Sequence, residues 1–150
     1  MSKLLDNILS QSNMLEAYNK VKANKGSAGI DGITIEELGN YLRQNWRPTK
    51  ELIKQRKYKP QPVLRVEIPK PNGGIRQLGI PTVMDRMIQQ AIVQVMSPIC
   101  EPHFSDTSYG FRPNRSCEKA IMKLLEYLND GYEWIVDIDL EKFFRYGSSR

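Results

Sequence analysis

The run from Glu133 to Phe144, EWIVDIDLEKFF, constrains the fold more than any other stretch. Trp134, Ile135, Val136 and Ile138 stand close together, and such aromatic and β-branched density predicts a β-strand over 133–139. A strand this apolar is normally buried on both faces, yet it carries two aspartates. Alternation puts Asp137 and Asp139 on one face. Like charges that close are costly on a buried strand unless a cation neutralises them. A divalent metal would do so, because hard cations take carboxylate oxygens. A strand running out into solvent, with both Asp at its wet end, would meet the same need, and the strand alone leaves the two readings level.

At 150 residues the chain is one domain or a piece of a larger one. It is long enough to bury a core without staples. Cys100 and Cys117 have neither metal-ligand spacing nor a C-x-x-C arrangement. With no secretory h-region at the N-terminus they read as reduced thiols of a cytoplasmic protein. No apolar run approaches a membrane span, so no membrane partner is expected. The net charge of +5 is unevenly spread. From Arg43 to Arg76 ten Lys and Arg stand against two Glu, a net +8, which leaves the remainder at −3. A concentrated basic segment is the footprint of a polyanion partner. A solvated basic helix face is the common alternative, but here the cations continue off a helix into a predicted hairpin.

Apolar residues at helical spacing predict one or two helices over Leu4–Lys22, with Ser12 or Asn13 capping the second. Residues 24–32 (NKGSAGIDG) form a glycine-rich loop without the phosphate-loop order. Thr34 and Glu37 have the spacing of a capping box, so a helix follows with Ile35, Leu38, Tyr41 and Leu42 inward. Pro48 is expected to interrupt it, with Thr49 capping a short basic helix to about Lys57. Val63–Ile68 and Ile75–Ile80 predict antiparallel strands joined through Asn72-Gly73. Thr82 and Asp85 approximate a capping box for a long helix ended by Pro98 and Pro102, with Arg86, Gln89, Gln90 and Gln94 on its polar side. Lone His103 reads as structural. Ser116 caps a helix to Leu128 whose buried stripe is Ala120, Ile121, Leu124, Leu125 and Leu128, and Asn129-Asp130-Gly131 closes it.

Three motifs resemble those of group II intron-encoded reverse transcriptases. Residues 104–116, FSDTSYGFRPNRS, closely resemble the second motif of that family. Residues 68–81, IPKPNGGIRQLGIP, resemble its fingers hairpin, and 24–32 resembles a segment of its N-terminal extension. Asp139, followed five residues later by Phe144, has the spacing of its first catalytic-aspartate motif.

The resemblance implies an α+β fold: a fingers subdomain of helices and an antiparallel β-hairpin, with the first strand of the palm. It divides the chain into an N-terminal extension that contacts RNA (1–45), fingers (46–132), the first palm strand (133–144) and a tail unlike the family (145–150). It implies that Asp139 and the backbone carbonyl of Leu140 hold Mg²⁺, and that Phe144 excludes a 2′-hydroxyl. Lys70 and Arg76 would grip the triphosphate of a dNTP, a task suited to an ammonium and a planar guanidinium. Arg112 and Arg115 would face the nucleic-acid channel, while Arg56, Lys57, Lys59 and Arg65 of the basic segment would track a backbone. Tyr109 and Phe111 are read as packing residues. The expected activity of the parent is RNA-directed DNA synthesis on an RNA template and DNA primer, with intron RNA as a further partner. Two-metal catalysis needs more carboxylates than this stretch supplies; in the family they lie further along, in a Tyr-x-Asp-Asp motif. The 150 residues alone are therefore expected to be inactive, and the terminal strand's unpaired edge could support a homo-oligomer. An RNA-binding maturase module without polymerase activity, and a related reverse transcriptase of a defence system, are the other readings.

Overall fold

A computed structural model describes residues 3–139. Leu140, Phe144 and the tail lie outside the described residues. The chain forms two compact units that divide after Pro102. The α+β expectation holds: the first unit contains helices α1 (Lys3–Ile8), α2 (Gln11–Ala23), α3 (Leu38–Lys54) and α4 (Val83–Cys100), and strands β1 (Leu64–Pro69) and β2 (Ile75–Ile80). A 3₁₀ turn at Glu101–His103 follows α4, and α5 (Cys117–Asn129) is the helix of the second unit. Among the described residues no helix is long and apolar enough to cross a membrane.

The core of the first unit gathers the apolar faces of the helices. Met14, Ala17 and Val21 of α2 pack with Val83, Met84, Met87 and Ala91 of α4, joined by Ile8, Leu9, Ile35 and Leu38. Burying each of the larger side chains contributes about 1.5–3 kcal/mol. Ala17 and Ala91 are wholly buried, and α2 runs along α4. Polar groups fix the register. Asn13 Nδ2 donates to the carbonyls of Ile8 (2.8 Å) and Ala91 (3.0 Å), while Gln94 Nε2 donates to Asn13 Oδ1 (2.7 Å). Asn13 thus joins two helices and does not cap α2. That cap is Ser10, whose hydroxyl accepts from the Asn13 amide.

Local signals hold in part. Thr34 and Glu37 form the expected reciprocal pair: the Thr34 amide donates to Glu37 Oε2 (3.0 Å) and the Glu37 amide to Thr34 Oγ1 (3.3 Å). The Thr34 amide and hydroxyl hold the Glu37 carboxyl below its usual range. The break at Pro48 does not occur: α3 continues through it to Lys54, without a separate helix capped by Thr49. α4 passes Pro98 and ends at Cys100, between the two prolines expected to end it. Pro48 and Pro98 are both exposed. Tyr41, Leu42 and Trp46 before Pro48 and Ile53 after it pack on the same core, and Lys50 Nζ reaches the Leu9 carbonyl at 3.0 Å. Tertiary packing on both sides outweighs the missing N–H.

The larger correction concerns 133–139. No strand forms there among the described residues, and Trp134, Val136 and Ile138 are more than four-fifths exposed. A strand exists only through a ladder to a neighbour, and the sheet of the described residues is β1–β2 alone. Apolar density marks a segment able to enter a sheet; it does not supply the partner. For the same reason the expected stripe of α5 is not buried: Ile121, Leu124, Leu125 and Leu128 are exposed. The helix itself is as expected, capped by Ser116 and closed by Gly131 at φ 95°.

Candidate functional site

The hairpin leaves the first unit as a projecting ribbon. Its register pairs Leu64 with Ile80, Val66 with Leu78 and Ile68 with Arg76. Alternation places Leu64, Val66, Ile68, Arg76, Leu78 and Ile80 on one face and Arg65, Glu67 and Gln77 on the other. Arg65 and Arg76 therefore serve opposite faces. Every residue of β1 is exposed, as is every residue of β2 but Ile80.

The tip is built by two glycines. The Lys70 amide donates to the Gly74 carbonyl (3.0 Å) and the Gly73 amide to the Lys70 carbonyl (3.1 Å). Gly73 and Gly74 have φ of 80° and 88°, the left-handed region in which a Cβ is strained. This turn brings Lys70 and Arg76 to one open hollow of about 400 Å³, lined also by Ile68, Pro69, Pro71 and Asn72. Neither cation pairs with a carboxylate among the described residues. Two unneutralised cations over an apolar floor can receive an anion bearing several oxygens.

The basic segment is positioned by the end of α3. The Arg56 amide donates to the Ile53 carbonyl (3.0 Å) and the Lys57 amide to the Leu52 carbonyl (2.8 Å), the paired bonds of a left-handed helix stop. Glycine normally takes that place; here Arg56 does, at φ 58°. In the extended chain beyond, Lys57 and Lys59 are exposed and Tyr58 turns inward. Its hydroxyl donates to Asp85 Oδ1 at 2.5 Å. Burial, then the Asp85 carboxylate, pushes the phenol above its ordinary range.

The glycine-rich loop is shaped by close approach to α4. A Cβ on Gly29 would lie 2.6 Å from the Thr82 Cα, and one on Gly26 would meet the Arg86 guanidinium. Arg86 Nη2 donates to the Ser27 carbonyl at 2.5 Å. Arg86, expected only on a polar face, thus clasps the loop. Sequence reasoning placed Asp85 in a cap, Asn13 as a possible cap and Arg86 on a polar face, but missed the distant partners these three find. Those partners lie 24 to 81 residues away, beyond any local pattern.

In the second unit Arg112 and Arg115 hold the 104–116 segment together. Arg112 Nη1 donates to the carbonyls of Ser105 (2.6 Å) and Ser108 (3.0 Å), with its guanidinium 5.2 Å from the Phe104 ring centre. Arg115 Nη1 donates to the Asp106 carbonyl (3.0 Å), and its guanidinium lies 5.3 Å from the Tyr109 ring centre. Tyr109 packs as expected. Phe111 does not: it is fully exposed, at a φ of 55° that is unusual for so large a side chain. The turn that aims Arg112 inward leaves the preceding side chain outside.

Asp137 and Asp139 are exposed, and among the described residues no three of His, Cys, Asp and Glu come together. The donor chemistry suits Mg²⁺, which takes carboxylate and carbonyl oxygens. The described residues supply only part of a ligand set for two such ions.

Residues 68–146 match the family model described as reverse transcriptase (RNA-dependent DNA polymerase). Protein YkfC of Escherichia coli K12 is 35% identical over 150 residues, covering 96% of this chain and 39% of the relative. The group II intron-encoded protein LtrA of Lactococcus lactis is 37% identical over 129 residues, covering 85% of this chain and 21% of the relative. The putative COX1/OXI3 intron 2 protein of Saccharomyces cerevisiae is 36% identical over 134 residues, covering 87% and 15%. The chain thus spans well under half the length of these relatives.

Proposed function

The chain belongs to the reverse transcriptase (RNA-dependent DNA polymerase) family, and from that premise we propose that it forms the fingers and the aspartate-bearing start of the palm of a group II intron-encoded RNA-directed DNA polymerase. In this reading 1–45 is the RNA-contacting extension, 46–132 the fingers and 133–144 the first palm segment. The observation that carries it is the hairpin tip, where Lys70 and Arg76, 6 residues apart in sequence, line one hollow with no carboxylate among the described residues to neutralise them.

The reaction is attack of a primer 3′-hydroxyl on the α-phosphorus of a dNTP, with pyrophosphate leaving. Lys70 and Arg76 bind the triphosphate oxygens and offset the charge that grows on the leaving group. Asp139 and the Leu140 carbonyl would hold Mg²⁺, which when bound supplies Lewis-acid polarisation of the phosphoryl oxygens. Phe144 would exclude a ribose 2′-hydroxyl, the role the resemblance gives it. Arg56, Lys57, Lys59 and Arg65 track the phosphates of template or intron RNA, and Arg112 and Arg115 shape the segment bordering the channel.

The test is steady-state primer extension by an enzyme containing this whole chain. Lys70→Ala and Arg76→Ala each remove hydrogen bonds to a charged group, worth about 1.5–3 kcal/mol. The dNTP KM then rises about tenfold or more. A KM unchanged in both variants would overturn the assignment of the tip.

A further inference from the structure

We propose that Asp85 is a positioning residue: its carboxylate pins the two feet of the β1–β2 hairpin to each other and to α4, and so sets where Lys70 and Arg76 stand. The hairpin has little else to hold it, since both faces of both strands are exposed up to Ile80. Its orientation is therefore decided where its strands enter and leave the body. The chain enters through Gln61, three residues before β1, and leaves through Thr82, two residues after β2. Both converge on one oxygen. The Gln61 amide donates to Asp85 Oδ2 at 3.1 Å, and Thr82 Oγ1 donates to the same oxygen at 2.7 Å.

The other carboxylate oxygen, Oδ1, takes the Tyr58 hydroxyl and anchors the incoming arm one step earlier. The Asp85 amide donates in turn to Thr82 Oγ1 at 3.1 Å, which locks the outgoing foot onto the first turn of α4. Asp85 is only 3% exposed. A carboxylate buried that far is costly unless its oxygens are satisfied, and here three donors meet it. The feet also touch directly: a Cβ on Gly79 would come within 2.9 Å of Val63 Cγ2. Helix capping alone would need only the bonds between Thr82 and Asp85. The additional bonds to Tyr58 and Gln61 serve the arm.

The pin is a claim about geometry; its consequence for nucleotide binding rests on the reading of Lys70 and Arg76 given above, and the test separates the two. Spin labels at Asn72→Cys on the tip and Asn19→Cys on α2, with Cys100 and Cys117 replaced by Ser, report the tip-to-body distance by double electron–electron resonance. The unmodified site gives one narrow distance. Asp85→Asn replaces one acceptor oxygen with an amide donor, so the three donors can no longer all be met as the carboxylate meets them, and the narrow distance is lost. Thr82→Val loses it too, while Thr82→Ser, which keeps the hydroxyl, restores it; this pair decides the matter if Asp85→Asn does not fold. In primer extension by an enzyme containing the chain, the variants that lose the narrow distance raise the dNTP KM more than they lower kcat, and Thr82→Ser does neither. A narrow distance retained in folded Asp85→Asn, or in Thr82→Val, would overturn the pin. A lost distance with unchanged KM would leave the pin standing and remove the nucleotide role of the tip.

Discussion

Tyr58 is the residue whose chemistry departs most from its exposed neighbours. Burial, then the Asp85 carboxylate, raises its phenol pKa, so its contribution to stability is complete below the ordinary phenol value of about 10 and is lost as pH climbs beyond it. The unfolded chain ionises there while the folded chain holds the proton. Urea midpoints should therefore fall from about pH 10 upward, and Tyr58→Phe should flatten that limb while lowering stability at neutral pH by about 1.5–3 kcal/mol, since a hydrogen bond to a charged group is removed. Equal alkaline slopes in the two proteins would remove the claim. Arg56 makes the opposite case. Its φ of 58° is one that glycine adopts freely, so Arg56→Gly should stabilise the fold by about 1 kcal/mol in urea titration. The same change removes a cation from the surface proposed to meet RNA.

Among elements, the loop 24–32 and helix α3 show what local sequence can and cannot say. Gly29 packs its Cα against the Thr82 backbone, so Gly29→Ala should cost about 1–3 kcal/mol by overpacking, read from thermal melts; a neutral result would mean the loop does not dock on α4. The caps at Thr34, Thr82 and Ser116, the Asn72-Gly73 turn and the stop at Gly131 were legible because each is complete within a few residues. Pro48 misled because its effect depends on packing several turns away. The 133–139 segment misled because a strand is a property of two chains segments, and the sequence displays one. The site divides the same way: Lys70 and Arg76 meet across a short turn and follow from the motif, whereas Asp85 meets Tyr58 and Gln61 across 27 and 24 residues, and no spacing rule reaches them.

At the scale of the whole molecule, charge is unevenly distributed along the chain. The net +8 between Arg43 and Arg76 predicts RNA binding without sequence preference and with steep salt dependence. Each cation that contacts phosphate adds roughly 0.7–0.9 to the log–log slope, so neutralising Arg56, Lys57 and Lys59 together should flatten it by about 2–3; a slope that does not change would place the RNA elsewhere. Polymerisation would ask more than binding does: in the proposed reading Asp139 is a metal ligand and not a phosphate contact. Asp139→Asn, in an enzyme containing this whole chain, separates the two. The measurement is primer extension on an RNA template with Mg²⁺ and dNTPs, alongside RNA affinity for the same proteins. Extension is expected to be abolished while RNA affinity stays close to that of the unmodified enzyme; extension by the Asn variant at the unmodified rate would show that Asp139 holds no catalytic metal.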